Sequence, residues 1–64
     1  MTFGENLRNL RKERNLSIKE LASISGLSVV QISNYEHDKN VPNAITVAKL
    51  VTALKCEYGE LVKR

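Results

Sequence analysis

Apolar residues recur along this chain at helical spacing, and nowhere with the two-residue alternation of a half-buried strand. Phe3, Leu7 and Leu10 fall at i, i+4 and i+7, which predicts an amphipathic first helix over 3–13 with Thr2 as its N-cap. That segment closes in "RKER", Arg11 to Arg14, which puts cations where the helix dipole is negative. Further on, "SIKE" and "SVVQ" each place a Glu or Gln three residues after a Ser. Two such capping boxes, Ser17 with Glu20 and Ser28 with Gln31, predict helices over 18–25 and 29–36. Gly26 stands between them, suited to the left-handed conformation that ends one helix and turns the chain. Two short helices about a glycine turn make a helix-turn-helix.

"HDKNVPN", His37 to Asn43, reads as a loop. Asn43 is expected to cap a fourth helix over 44–54, with Val47, Leu50, Val51 and Leu54 as its inner stripe. A short fifth helix over 58–62 would close the bundle with Leu61, although Glu57 sits where a capping Ser or Asp is more usual. The expected fold class is all-α, a five-helix bundle containing a helix-turn-helix, with residues 1–64 as a single domain. One Pro, three Gly and no repeat or low-complexity tract leave no place for a linker.

Length and composition narrow the function. A chain of 64 residues is too short to divide into two cores, and one core of this size supplies only about 3 to 5 kcal/mol. Cys56 and His37 are each alone of their kind, so neither a disulfide framework nor a Cys/His metal cluster can be assembled within one chain. No metal or other cofactor is expected, and no small-molecule ligand is evident. The same scarcity gives no nucleophile-base constellation, which argues against an enzyme. Cys56 reads as a half-buried packing residue whose free thiol suits a reducing compartment. No apolar run approaches the roughly 20 residues that span a bilayer, and "MTFGENLRNL" lacks the layout of a signal peptide. The expected location is therefore cytoplasmic, with no membrane partner. Ten Lys and Arg against seven Asp and Glu give a net charge of +3, a lean toward polyanions that solubility alone would also accept.

The third helix has two contrasting faces. Ile32 and Leu27 belong to the core side, and Glu36 lies only about 40° from Ile32 on the helical wheel. Arg11 follows Leu7 on the first helix in the same way. A buried charge costs several kcal/mol unless paired, so an Arg11–Glu36 ion pair joining the first and third helices is expected; two solvated side chains at the bundle edge are the alternative. Val30 and Asn34 lie about 160° from Ile32, flanked by Gln31 and Ser33, with Val29 at the first turn. Exposed valines bring little helix propensity, so two in succession point to contact with something, against the plain alternative of scattered surface hydrophobes.

The run "LRNLRKERNLSIKELASISGLSVVQISNYEHDKNVPN" resembles the helix-turn-helix domain of the Cro/repressor (Xre-like) family. Leu-Arg, Leu-Ser, Glu-Leu-Ala, Gly, Ile-Ser, Tyr-Glu, Lys and Pro all stand at the family's spacing, and the resemblance covers residues 3–62. It implies a five-helix, lambda-repressor-like DNA-binding fold and supports the Arg11–Glu36 pair. It also implies that Ser28, Val29 and Val30, with Asn34 one turn later, face base edges, Gln31 and Ser33 flanking them. Ser17 and Ile18 would meet the DNA backbone, Lys39 and Asn40 would hold phosphates, and Asn43 would do so at the fourth helix. Ile18 and Val29 stand where glutamines are frequent in the family, and Asp38 and Lys55 where glycines are.

The function so implied is that of a transcriptional regulator, a repressor, that binds double-stranded DNA at a palindromic operator as a homodimer. The dimer contact is expected near the junction of the fourth and fifth helices, at Leu54, Cys56, Tyr58 and Val62, with Leu61 assigned to the core. The rival reading is a protein-interaction module or antitoxin that uses Ile18, Ile24, Val29 and Val30 as an apolar patch.

Overall fold

Side-chain caps decide where four of the five helices begin. Thr2, Ser17 and Ser28 each close a reciprocal capping box, with Glu5, Glu20 and Gln31 respectively, and Asn43 accepts from the Thr46 N–H at 2.8 Å. Each cap contributes about 1 kcal/mol. The computed structural model describes residues 2–62 as α1 (Phe3–Glu13), α2 (Ile18–Ser25), α3 (Val29–Glu36), α4 (Ala44–Leu54) and α5 (Tyr58–Val62). These are the spans the hydrophobic periodicity predicts, and no strand occurs among the described residues. The box at Thr2 goes beyond the sequence reading, which named Thr2 alone. α5 starts differently: the Glu60 carboxylate accepts from the Glu57 N–H at 3.0 Å, which supplies half a box where Ser or Asp is missing.

Left-handed residues end the first four helices, and only one of them is glycine: Asn15 at φ 55°, Gly26 at 76°, Asp38 at 56° and Lys55 at 52°. At each, the chain folds back on the last turn. After α1 the Leu16 N–H reaches the Arg11 carbonyl at 3.1 Å, and after α3 the Lys39 N–H reaches the Asn34 carbonyl at 2.9 Å. Asn and Asp tolerate this conformation, whereas Lys bears roughly 1 to 2 kcal/mol of strain. Asp38 does more than replace a glycine, because its Oδ1 accepts from the Gly4 N–H at 3.0 Å and ties the loop after α3 to the start of α1. A Cβ on Gly4 would lie 2.6 Å from the carbonyl oxygens of both Tyr35 and Glu36, so α1 comes this close to the end of α3 only because residue 4 is glycine.

One apolar cluster joins all five helices: Leu7 and Leu10 from α1, Leu21 and Ala22 from α2, Ile32 and Tyr35 from α3, Val47, Leu50 and Leu54 from α4, and Leu61 from α5. α1 lies against α3 and α5, while α4 lies against α2 and α5. Phe3 meets Tyr35 edge to face with centroids 6.5 Å apart, a favourable aromatic geometry. Leu27 and Val51, expected inside, are half-buried and pack on the outside of this cluster. Two distant side chains satisfy helix-end carbonyls. The Asn6 amide donates to Leu61 O at 3.1 Å, and Arg14 Nε donates to Leu54 O at 2.9 Å.

Leu54 requires a correction. It is wholly buried, seven residues after Val47 and four after Leu50 on the inner stripe, so its side chain cannot meet a second chain. It leaves the expected dimer surface and joins Leu61 in the core.

Candidate nucleic-acid interface

The α3 surface opposite Ile32 is the place to look for a ligand, because its opposite face is doubly anchored. Ile32 is fully buried. One turn on, Glu36 takes the Arg11 guanidinium at two points, Nε to Oε2 at 2.6 Å and Nη2 to Oε1 at 3.2 Å. The pair is well shielded, with side-chain exposures of 11% for Arg11 and 4% for Glu36. Arg11 Nη1 also donates to Leu16 O at 2.8 Å, so a single guanidinium links α1, α3 and the turn into α2. The ion pair expected from the wheel positions is present, and the solvated alternative is excluded.

The outward face is graded rather than uniform. Ser28, Val29, Val30 and Gln31 are exposed, whereas Ser33 and Asn34 are half-buried. Val30 is the most open of the valines at 67%. The Ser28 N–H donates to Gln31 Oε1 at 2.9 Å and the Gln31 N–H donates to Ser28 Oγ at 3.0 Å. Gln31 therefore has one of the two lone pairs of its oxygen taken by the cap, which leaves its NH2 group as the less encumbered end of the amide. Asn34 keeps both ends of its amide free of hydrogen bonds among the described residues. At the end of the helix His37 Nδ1 lies 2.8 Å from Ser33 O; a carbonyl only accepts, so Nδ1 carries the proton.

Three further elements border this face. Ser17 begins α2, where the Glu20 N–H reaches its Oγ at 3.0 Å and its own N–H reaches Glu20 Oε1 at 2.8 Å. Hydrogen bonds from Ser17, the backbone one first, hold the Glu20 carboxyl below the usual glutamate range. Ile18, next in line, is half-buried, while Lys39 and Asn40 stand exposed in the loop after α3. Asn43 is also exposed, its Oδ1 already committed to the α4 cap.

A shallow recess of about 160 Å3, lined by Arg8, Arg11, Lys12, Ile18, Glu36 and His37, sits where α1, α2 and α3 meet. Arg11 is neutralised at its floor by Glu36, whereas Arg8 and Lys12 are exposed and face the recess as cations. Sequence reasoning passed over these two. Their spacing of four places them on one helical face, a signal that was overlooked beside the core positions Leu7 and Leu10.

The residues expected at a dimer contact divide. Tyr58 is 61% exposed, Cys56 and Val62 are half-buried against the core, and Leu54 is inside. Burial raises the Cys56 thiol above its ordinary pKa, with the Glu60 charge acting in the same direction, so the thiol is a packing group and poorly nucleophilic. Among the described residues no group of His, Cys, Asp and Glu could hold a metal ion, and no helix is long and apolar enough to cross a membrane.

Comparison with known proteins places this geometry. Residues 7–61 match a family model described as helix-turn-helix. The HTH-type transcriptional repressor RghR of Bacillus subtilis is 47% identical over 62 residues, which is 95% of this chain but 46% of that protein; the chain spans about half the length of such curated relatives. Among solved structures, the restriction-modification controller protein C.AhdI of Aeromonas hydrophila superposes with a TM-score of 0.89 at 37% identity, covering 92% of this chain and 89% of that one. The P22 c2 repressor in complex with a synthetic operator gives a TM-score of 0.91 at 32% identity, covering 98% of this chain and 96% of that one.

Proposed function

The chain belongs to the Cro/repressor (Xre-like) helix-turn-helix family of DNA-binding transcription regulators, which are not enzymes, and from that premise we propose that it reads double-stranded DNA by laying α3 in the major groove. The observation that carries this reading is the pairing of faces on α3. Ile32 and the Glu36–Arg11 pair fix one side to the bundle, and the other side presents Val29, Val30 and an uncommitted Asn34 amide.

Each exposed group then has a role. The Asn34 amide pairs with adenine at two points, a contact that discriminates by about 1 to 3 kcal/mol. Gln31, with one lone pair of its oxygen held in the cap, leads with its NH2 donor and so suits the acceptors of guanine or thymine. Val29 and Val30 cover thymine methyl groups; a few tens of Å2 buried there yield about 1 kcal/mol. Ser28 and Ser33 flank the strip with small polar groups. Ser17 and Ile18 at the start of α2 and Asn43 at the start of α4 approach phosphates, where helix N-termini favour anions. Lys39 and Asn40 hold the backbone beyond α3, and Arg8 and Lys12 extend the positive border from α1.

One such module makes few contacts, and a two-fold homodimer on a palindrome doubles them. Tyr58, with the outer edges of Cys56 and Val62, supplies the contact. The names of the relatives, among them a transcriptional repressor, favour repression as the outcome of binding. Random-site selection with the purified chain at fixed salt tests the reading: it should enrich a two-fold symmetric site with A/T pairs opposite α3. Recovery of no enriched sequence would instead favour Ile18, Val29 and Val30 as a contact for another protein.

A further inference from the structure

α2 and α4 leave between them an open groove of about 490 Å3, whose apolar lining is Ile24, Ile45, Ala48 and Ala53, with Lys49 beside them. A second recess shares Ile24 and Ala53 with it and runs on to Lys55 and Arg14. Ile24 is 57% exposed and Ile45 70% exposed, a large apolar display for a chain of this size. No α3 residue and no carboxylate lines either recess. The DNA-reading face and this groove therefore use separate side chains.

We propose that this groove docks an amphipathic helix of a protein partner, one whose apolar stripe is flanked by carboxylates. The shape favours a helix over a small molecule. Small-molecule sites bury about 70 to 90% of their ligand, which a groove open along one side does not do, whereas a helix needs only its apolar stripe covered. The charge selects an acidic partner. Lys49 stands at the apolar strip and Lys55 at its far end, and neither makes an ion pair among the described residues. The Arg14 guanidinium donates to the carbonyls of Leu54 and Lys55 and pairs with Glu13 at 3.4 Å, so the unbalanced positive charge along the groove is that of the two lysines.

A second copy of this chain fits less well. A two-fold contact through the groove would bring the same lysines together, and a self-complementary patch needs both signs of charge. Exposed carboxylates lie beside an exposed apolar residue at Glu57 and Glu60, which flank Tyr58 at the start of α5, and at Glu20, one turn before Ile24 on α2, whose carboxylate is held by the Ser17 cap. α5 spans only five residues and is held in its own core by the fully buried Leu61, so it offers a neighbour's groove little more than one turn of helix.

The test uses a synthetic amphipathic helix with Leu at i, i+4 and i+7 and Glu on both flanks, and a second peptide with Lys in place of each Glu. Each is titrated into the isotope-labelled full chain while backbone amide shifts are followed. The acidic peptide should shift amides of α2 and α4 around Ile24, Ile45 and Ala53 and spare α3. Ile45→Ser and Lys49→Glu should each weaken it about tenfold or more, as loss of a central anchor does. Lys49→Glu should in turn strengthen the basic peptide, a reversal that a merely unstable variant could not produce. Both variants should bind DNA as the parent does. The proposal is overturned if neither peptide binds up to millimolar concentration, if the two bind alike, if the shifts fall on α3, or if sedimentation shows self-association that Ile45→Ser abolishes.

Discussion

Arg11 grips Glu36 with two edges of its guanidinium, at 2.6 and 3.2 Å, across 25 residues of sequence and within the seam between α1 and α3. The contact sets the angle at which α3 leaves the bundle, so it determines what the outer face of that helix can reach. Removing either partner strands a buried charge at about 3 to 5 kcal/mol, whereas replacing both with apolar residues of similar size is close to neutral. Glu36→Leu and Arg11→Met are thus each expected to bring the urea midpoint near zero, since the whole core supplies little more than that. The double variant should recover most of the loss. Additive losses in the double variant would show that the pair is not coupled.

Lys55 holds a left-handed φ of 52°, and only its backbone is used there, its carbonyl receiving Arg14 at 3.4 Å. Lys55→Gly should release about 1 kcal/mol of strain, and for a domain of this size that raises Tm by roughly 4 to 8 °C. Calorimetry of the two proteins checks it. A lowered Tm would mean that the lysine side chain stabilises the α4 end by more than the strain costs.

Glu20 makes the start of α2 sensitive to acid. Its folded-state pKa lies below the ordinary glutamate value because the charged carboxylate accepts from Ser17. The stabilisation is therefore present above the unfolded-state value and is lost as pH falls through the folded one. Stability measured against pH should show Glu20→Gln below the parent at neutral pH, with the gap closing in acid. A constant gap at all pH values would remove the charge from the explanation.

The valines predict a methyl effect. Replacing the thymines opposite α3 with uracil deletes only the methyl groups, and parent binding should weaken by about 1 kcal/mol for a well-covered methyl. Val30→Ala should bind less tightly to the thymine site and lose most of its preference over uracil. An undiminished preference in Val30→Ala would place the methyl elsewhere.

Much of this molecule was legible before its structure was known, because the information is local. A Ser or Thr with Glu or Gln three residues later, and an apolar residue every three or four, fix helix starts and faces through contacts within one or two turns. The Arg11–Glu36 pair was legible for the same reason, each charge standing four residues from a core residue. Contacts spanning most of the chain carry no such periodicity. Asn6 to Leu61, Arg14 to Leu54 and Asp38 to Gly4 join side chains to distant backbone, and nothing in their surroundings announces the partner. The wheel also misjudged degree. Leu54 looked available for a dimer and is enclosed, and Asn34, placed opposite the core residue Ile32, is half-covered.

The central claim is that Asn34 reads bases while Lys39 only holds the backbone, and one experiment separates those roles. Binding of the parent, Asn34→Ala and Lys39→Ala is measured on the selected site and on unrelated duplex across a salt series. Asn34→Ala should lose about 1 to 3 kcal/mol on the selected site alone. Lys39→Ala should weaken both duplexes alike and reduce the slope of log K against log salt by about 1. Equal losses on both duplexes from both substitutions would contradict the assignment of α3 as the reading helix.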